Sequence, residues 1–153
     1  MSDLFFMKEA YALAFTAQSF GEVPVGAVLV DKNQQIIGRG FNQVIKNHDP
    51  SAHAELVAIR DACLQIGNYR LPGTTLYVTL EPCCMCAGAL VHARIERLVF
   101  ATKDPKAGAA GSVYNLLQGY PLNHQVMVEE GLLRNECASL LSDFFKARRL
   151  EHR

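Results

Sequence analysis

No charge of either sign predominates in this chain: fifteen Lys and Arg stand against fifteen Asp and Glu among 153 residues. That balance excludes a global basic field, so any footprint for nucleic acid must be local. Long hydrophobic runs are missing too. Arg, Lys, Asp or Glu interrupts every candidate before it reaches the roughly 20 residues of a membrane span, and no membrane partner is expected. Asp3, Lys8 and Glu9 break the N-terminal apolar stretch, so no secretory leader is expected either. Cysteine is scarce and odd in number, five in all, with three inside positions 83–86. That excludes a disulfide framework and favours a reduced, cytoplasmic protein that uses Cys for metal or catalysis. Repeats, low-complexity segments and linkers are absent. Half of the residues are apolar and a fifth are charged, which excludes disorder and fits one domain, 1–153, with a core of its own.

Residues 3–18 predict an amphipathic helix with Met7, Ala10, Tyr11 and Ala14 on one face and Ser2 as N-cap. Val23 to Val30 is a continuous apolar run and reads as a buried strand. A polar turn at 31–34 joins it to a second strand, Gln35 to Phe41, as a hairpin. Leu56, Ile59, Cys63 and Ile66 recur at helical spacing over 52–66, and Gly67 stops that helix. Thr74 to Leu80 predicts a strand, 84–93 a helix, and Ile95 to Ala101 a parallel strand reached by a right-handed crossover. After a small-residue loop at 102–112, a short helix is expected near 112–118, a strand near 125–129 and a last helix over 134–150. The order describes an α/β domain with helices on both faces of one sheet.

Two segments carry chemistry: His53-Ala54-Glu55 and Pro82-Cys83-Cys84-Met85-Cys86. Each opens a helix after a loop or strand end, where α/β sheets place their sites. His53, Cys83 and Cys86 offer one nitrogen and two sulfurs, a donor set that suits Zn²⁺. Cys83 and Cys86, three apart, share a face of the first helical turn, and a helix N-terminus favours thiolate. Three protein ligands leave the fourth tetrahedral position open for water, the mark of catalytic zinc. Glu55 is placed to carry that water's proton. The alternatives are a redox Cys-x-x-Cys or a structural zinc with Cys84 as fourth ligand, although Cys84 points roughly 100° around the helix from Cys83. Cys84, Cys63 and Cys137 read as small buried apolar residues, and His48, His92, His124 and His152 as ordinary polar ones.

The pattern His-x-Glu…Pro-Cys-x-x-Cys is the known signature of zinc-dependent deaminases. Over nearly its whole length the chain resembles the bacterial tRNA-specific adenosine deaminases, a branch of the cytidine/deoxycytidylate deaminase superfamily. The resemblance rests on EVPVGAVLV at 22–30, GRGFN at 38–42, HDPSAHAELVAIR at 48–60 and NYRLPGTTLYVTLEPCCMCAGALVHARI at 68–95. DPKAGAAGS at 104–112 and ECASLLSDFFKARR at 136–149 point to the tRNA branch.

That resemblance implies a three-layer α/β/α sandwich around a mixed five-stranded sheet of order 2-1-3-4-5. It implies one Zn²⁺ per chain held by His53, Cys83 and Cys86, with Glu55 shuttling protons. The implied reaction converts the wobble adenosine of a tRNA anticodon loop to inosine, on a homodimer whose groove draws on both subunits. Asn42 is implied to hydrogen-bond the target nucleotide, the alternative being that it only closes its strand. Val25, Ala54 and Leu80 are implied to wall the pocket, although all three would also serve as plain core. Asp104 and Lys106 are implied to touch flanking nucleotides. On the last helix, Cys137, Leu140, Leu141 and Phe144 form the apolar stripe, and Phe145 is turned away from it. Phe145 with Lys146, Arg148 and Arg149 is either a platform for a splayed RNA base or a contact with another subunit; the resemblance favours RNA. The rival functions are deamination of a free base or nucleoside such as guanine or cytosine, a non-catalytic zinc-stabilised RNA-binding module, and a thiol oxidoreductase.

Overall fold

The computed structural model describes residues 1–118 and 123–151; His152 lies outside them. Helix α1 (Asp3–Ser19) starts at its expected cap, where Ser2 Oγ accepts the Phe5 N–H at 3.2 Å and satisfies one orphan donor of the first turn. Strand β1 (Gly26–Val30) is shorter than the apolar run before it suggests. The segment ahead of it turns, with the Val25 N–H on the Val23 carbonyl at 2.8 Å, and Pro24 has no ladder donor to contribute. Strand β2 (Ile36–Phe41) pairs with β1 antiparallel, completing the hairpin, with a register shift between Leu29 and Val30.

Helix α2 (Ala54–Ile66) ends at Gly67, whose φ of 76° is the left-handed stop that glycine adopts without strain. Strand β3 (Thr75–Leu80), helix α3 (Cys84–His92) and strand β4 (Arg97–Thr102) form the expected unit, with β3 and β4 parallel. Strand β5 (Met127–Glu130) adds parallel to β4, and α4 (Arg134–Glu151) closes the chain. The mixed sheet runs β2-β1-β3-β4-β5, the expected order. No helix forms at 112–118. The Ala110 and Ser112 N–H groups go instead to the Glu81 carboxylate, at 2.9 and 3.1 Å. An isolated bridge joins Ala110 and Asn115. The Tyr114 and Leu116 N–H groups, which a helix would send to the carbonyls four residues back, go to the Gly108 and Ala109 carbonyls at 3.1 and 3.0 Å, so no helical ladder starts.

Strand alternation divides the core in two. Ala27, Leu29, Leu76, Val78, Leu98 and Phe100 pack under α2 and α3. Val28, Val30, Tyr77, Val99 and Ala101 pack under α1 and the start of α4, against Phe6, Met7, Ala10 and Cys137. Each large apolar side chain fully buried here contributes roughly 1.5–3 kcal/mol. Gly38 and Gly40 let α2 lie directly on β2, since a Cβ at either would run into the carbonyl oxygen of Ala58 or Ala54. That close approach seats the first turn of α2, and with it the 53–55 motif. At the other end of the sheet Arg97 clamps Asp3 (2.9 and 2.6 Å) and Glu129 (3.1 and 2.6 Å), tying α1 to β4 and β5.

Candidate active site

His53 is the N-cap residue of α2 and Cys83 that of α3, so the two helix starts converge. His53 Nδ1 lies 3.6 Å from Cys83 Sγ and 3.5 Å from Cys86 Sγ. The three donor atoms all lie within 4.8 Å of one another. Zinc's ordinary bonds, about 2.3 Å to sulfur and about 2.0 Å to nitrogen, set N···S edges of about 3.5 Å in a tetrahedron. Both N···S distances therefore match the ion, and the donor set fits it. Hydrogen bonding from Cys86 and His53 pulls Cys83 down to about 3, so its sulfur is thiolate. Cys86 is pushed up by that neighbouring thiolate and by burial, and His53 is raised, chiefly by its contact with Cys83. Such a set gives up its protons to bind a divalent cation. Cys84 is exposed rather than buried, because its position on the first turn faces away from both core and donors. Cys63 is half-buried and Cys137 buried.

Glu55 sits on the first turn of α2, only 4% exposed. Burial raises its carboxyl to about 7, the range where one group can both take and give a proton at neutral pH. Asn42, at the end of β2, is first of all structural, since its Oδ1 accepts the Ala54 N–H at 2.8 Å. It thus caps α2 from outside, where His53 makes no side-chain cap. Val25 and Ala54 are buried in the core.

The other expected substrate residues come together. Leu80, Asp104, Lys106, Phe145 and Arg149 line one groove of about 770 Å³, together with Pro105, Arg148 and neighbours. It opens at the C-terminal ends of β3 and β4, the sheet edge from which the Cys83 segment departs. Phe145 is 45% exposed and set edge-on to Phe144 at 5.5 Å. Asp104 spends Oδ1 on the Lys106 and Ala107 N–H groups, at 3.0 and 3.2 Å. Arg148 lines the groove too, and its guanidinium donates to the Gly21 carbonyl and lies 5.0 Å over the Phe144 ring, stapling α4 to the turn after α1. His124 is an ordinary polar residue, bonded to the Ile95 carbonyl at 2.6 Å.

Two buried acids escaped the sequence reading. Glu22 accepts the Ile45 and Lys46 N–H groups, at 3.1 and 2.7 Å, and so holds the loop that follows Asn42. Glu81 holds the 104–112 loop; burial works against its charge, but hydrogen bonds from Ser112, Asp104 and Ala110 outweigh that and keep its carboxyl below the usual range. The available signal was an acid adjoining an apolar strand, Glu22 before VPV and Glu81 after TLYVTL.

Removing a ring amino group by hydrolysis requires ionised water and a proton carrier; a three-donor metal set can supply the first and Glu55 the second, and that chemistry defines the zinc-dependent deaminases. The chain belongs to the cytidine and deoxycytidylate deaminase family, whose zinc-binding region matches residues 1–102. It is 52% identical over 145 residues to the tRNA-specific adenosine deaminase of Haemophilus influenzae, covering 95% of this chain and 84% of that protein. With the tRNA-specific adenosine deaminase of Bacillus subtilis it shares 50% over 144 residues, 94% of this chain and 89% of the other. Among solved structures it resembles one from studies of A-to-I editing by tRNA:A34 deaminases, with TM-score 0.86, 44% identity, and 90% and 99% of the two chains covered. A guanine deaminase from Nitrosomonas europaea shares the fold, at TM-score 0.81 and 23% identity.

Proposed function

We propose that this chain is a zinc-dependent enzyme that hydrolyses the wobble adenosine of a tRNA anticodon loop to inosine and ammonia. His53, Cys83 and Cys86 hold one Zn²⁺, which when bound supplies water ionised near neutral pH. Glu55 takes a proton of the attacking water at its carboxylate and delivers it to N1 of adenine, making C6 electrophilic, and the water oxygen bonds to C6. Glu55 then carries the remaining proton of that oxygen to the 6-amino group, and the C6–N bond breaks to release ammonia. Asn42, anchored through Oδ1, directs its amide nitrogen to the nucleotide. The base must leave its stack to reach this site, which costs least in a single-stranded loop.

The groove carries the RNA reading. Its exposed Phe145 offers stacking worth roughly 1–3 kcal/mol per base, and Arg149 and Lys106 offer salt-sensitive attraction to phosphates. A free nucleoside needs neither. We read 1–153 as one domain acting in the cytoplasm beside its substrate; among the described residues no helix is long and apolar enough to cross a membrane. The homodimer is part of this reading, supported by apolar side chains left open on α2 and α3: Leu64 at 84% exposure, Ile66 and Met85.

The test incubates the purified protein with an anticodon stem-loop bearing a wobble adenosine, and separately with adenosine, guanine and cytosine. Inosine in the RNA and little turnover of the free compounds is the expected result. Replacing Phe145 and Arg149 together by Ala should lower RNA turnover at least tenfold at limiting RNA, with zinc content unchanged. Turnover of a free base would replace this reading with the nucleoside one, and RNA binding without ammonia would make the protein a binding module.

A further inference from the structure

Glu81 takes no part in the chemistry above, yet it is 2% exposed and lies between Leu80 of the groove and Cys83 of the metal set. Both of its oxygens are occupied. Oε1 accepts the Asp104 N–H at 3.0 Å and the Ser112 hydroxyl; Oε2 accepts the Ala110 and Ser112 N–H groups at 2.9 and 3.1 Å. Main-chain bonds run alongside, from the Glu81 N–H to the Thr102 carbonyl at 2.9 Å and from the Ala109 N–H to the Pro82 carbonyl at 2.8 Å. The loop is thus wrapped around one carboxylate, gripped at its start by Asp104 and at its end by Ser112. Gly108 makes the wrap possible, since a Cβ there would run into the Glu81 carboxyl group. Donors that converge on a buried acceptor are costly to leave unpaired, so the carboxylate dictates the loop's conformation. Pro105 and Lys106 lie between the gripped ends and, with Asp104, line the groove wall.

We propose that Glu81 is a positioning residue for the RNA substrate: its carboxylate presets the 104–112 loop, so that the groove wall meets the anticodon loop already ordered. A loop ordered in advance adds to affinity because binding need not order it. Cys83 caps α3 and Cys86 lies on it, both outside the 104–112 loop, so the effect falls on substrate binding and not on the chemical step. This inference rests on the reading that the groove takes RNA.

Glu81→Gln keeps the shape but turns an amide NH₂ towards N–H donors. The apparent KM for the wobble-adenosine stem-loop should rise roughly 5- to 50-fold. The kcat at saturating RNA should change by less than about threefold, and zinc should stay at one per chain. Amide hydrogen exchange, measured without RNA, should quicken at Asp104, Ala110 and Ser112 and stay unchanged in β3 and α3. Gly108→Ala should give the same KM effect by steric intrusion, and the double variant should fall short of the product of the two single effects. A Glu81→Gln protein with parental exchange and KM overturns the inference. So does one that loses zinc, or loses kcat at unchanged KM, which would place Glu81 with the metal segment. If the parent protein fails to deaminate the stem-loop, the RNA reading falls, and the RNA-free exchange measurement separates that failure from a failure of the loop argument.

Discussion

Asn42 caps a helix and, in the function proposed above, also contacts the substrate, and two substitutions separate those roles. Its Oδ1 accepts the Ala54 N–H at 2.8 Å and caps the helix that starts with His53 and Glu55. Only the oxygen can accept that bond, so the amide's orientation is set and the nitrogen is left for the substrate. Asn42→Ala removes both. Losing the cap should cost about 1 kcal/mol, which for a domain of this size lowers Tm by roughly 2–4 °C. Losing the contact to adenine should cost roughly 1–3 kcal/mol, read as a fall of about 5- to 150-fold in kcat/KM on the stem-loop. Asn42→Asp keeps an oxygen for the Ala54 N–H and adds a negative charge at a helix N-terminus, which is favourable. Its Tm should stay within about 1 °C of the parent, while its kcat/KM falls as far as that of the Ala variant. Differential scanning calorimetry and an inosine assay read the two quantities separately. An Asp variant that melts as low as the Ala variant would refute the cap, and one that deaminates like the parent would refute the reading of adenine by Nδ2.

Glu55→Ala should retain zinc and fold but lose turnover by at least 10²–10⁴-fold, because one group serves several proton transfers; near-parental single-turnover rates would show another carrier. Cys86→Ala should copurify with little zinc, since His53 and Cys83 alone cannot hold the ion, and elemental analysis showing full occupancy would sink the ligand assignment. Asp3 is held at about 2, below its ordinary 3.8, chiefly by its hydrogen bond to Arg97. A carboxyl depressed by folding stabilises the protein above its unfolded pKa, and the gain disappears as pH falls through about 4 towards 2. The drop corresponds to roughly 2.4 kcal/mol, which screening at a side chain one-third exposed reduces to about 1 kcal/mol. Asp3→Asn should therefore lower stability in urea at pH 7 by about that much, and the two proteins should converge near pH 2; an equal gap at both pH values would refute the linkage.

Local patterns in the chain determined its elements and their types. Ser2 before an amphipathic run, Gly67 after one, and the β-branched stretch at 74–80 each encode their structure through hydrogen bonds and side-chain stiffness within a few residues. The zinc donors were legible for the same reason, because Cys83 and Cys86 share one helical turn and His53 and Glu55 another. Tertiary structure alone brought those turns together, 30 residues apart in sequence, through the glycines that let α2 lie on β2. It also decided where the periodic signal misled. The expected helix at 112–118 gave way because the Tyr114 and Leu116 N–H groups bond the Gly108 and Ala109 carbonyls instead of those four residues back, and Cys84 faced outward because it lies about 200° around its turn from the buried Cys86. Arg148, on the groove wall, spends a guanidinium donor on the Gly21 carbonyl, 127 residues away in sequence. A buried acid such as Glu22 or Glu81 acquires its role from donors remote in the chain, and no window of sequence contains both the acid and the groups that need it.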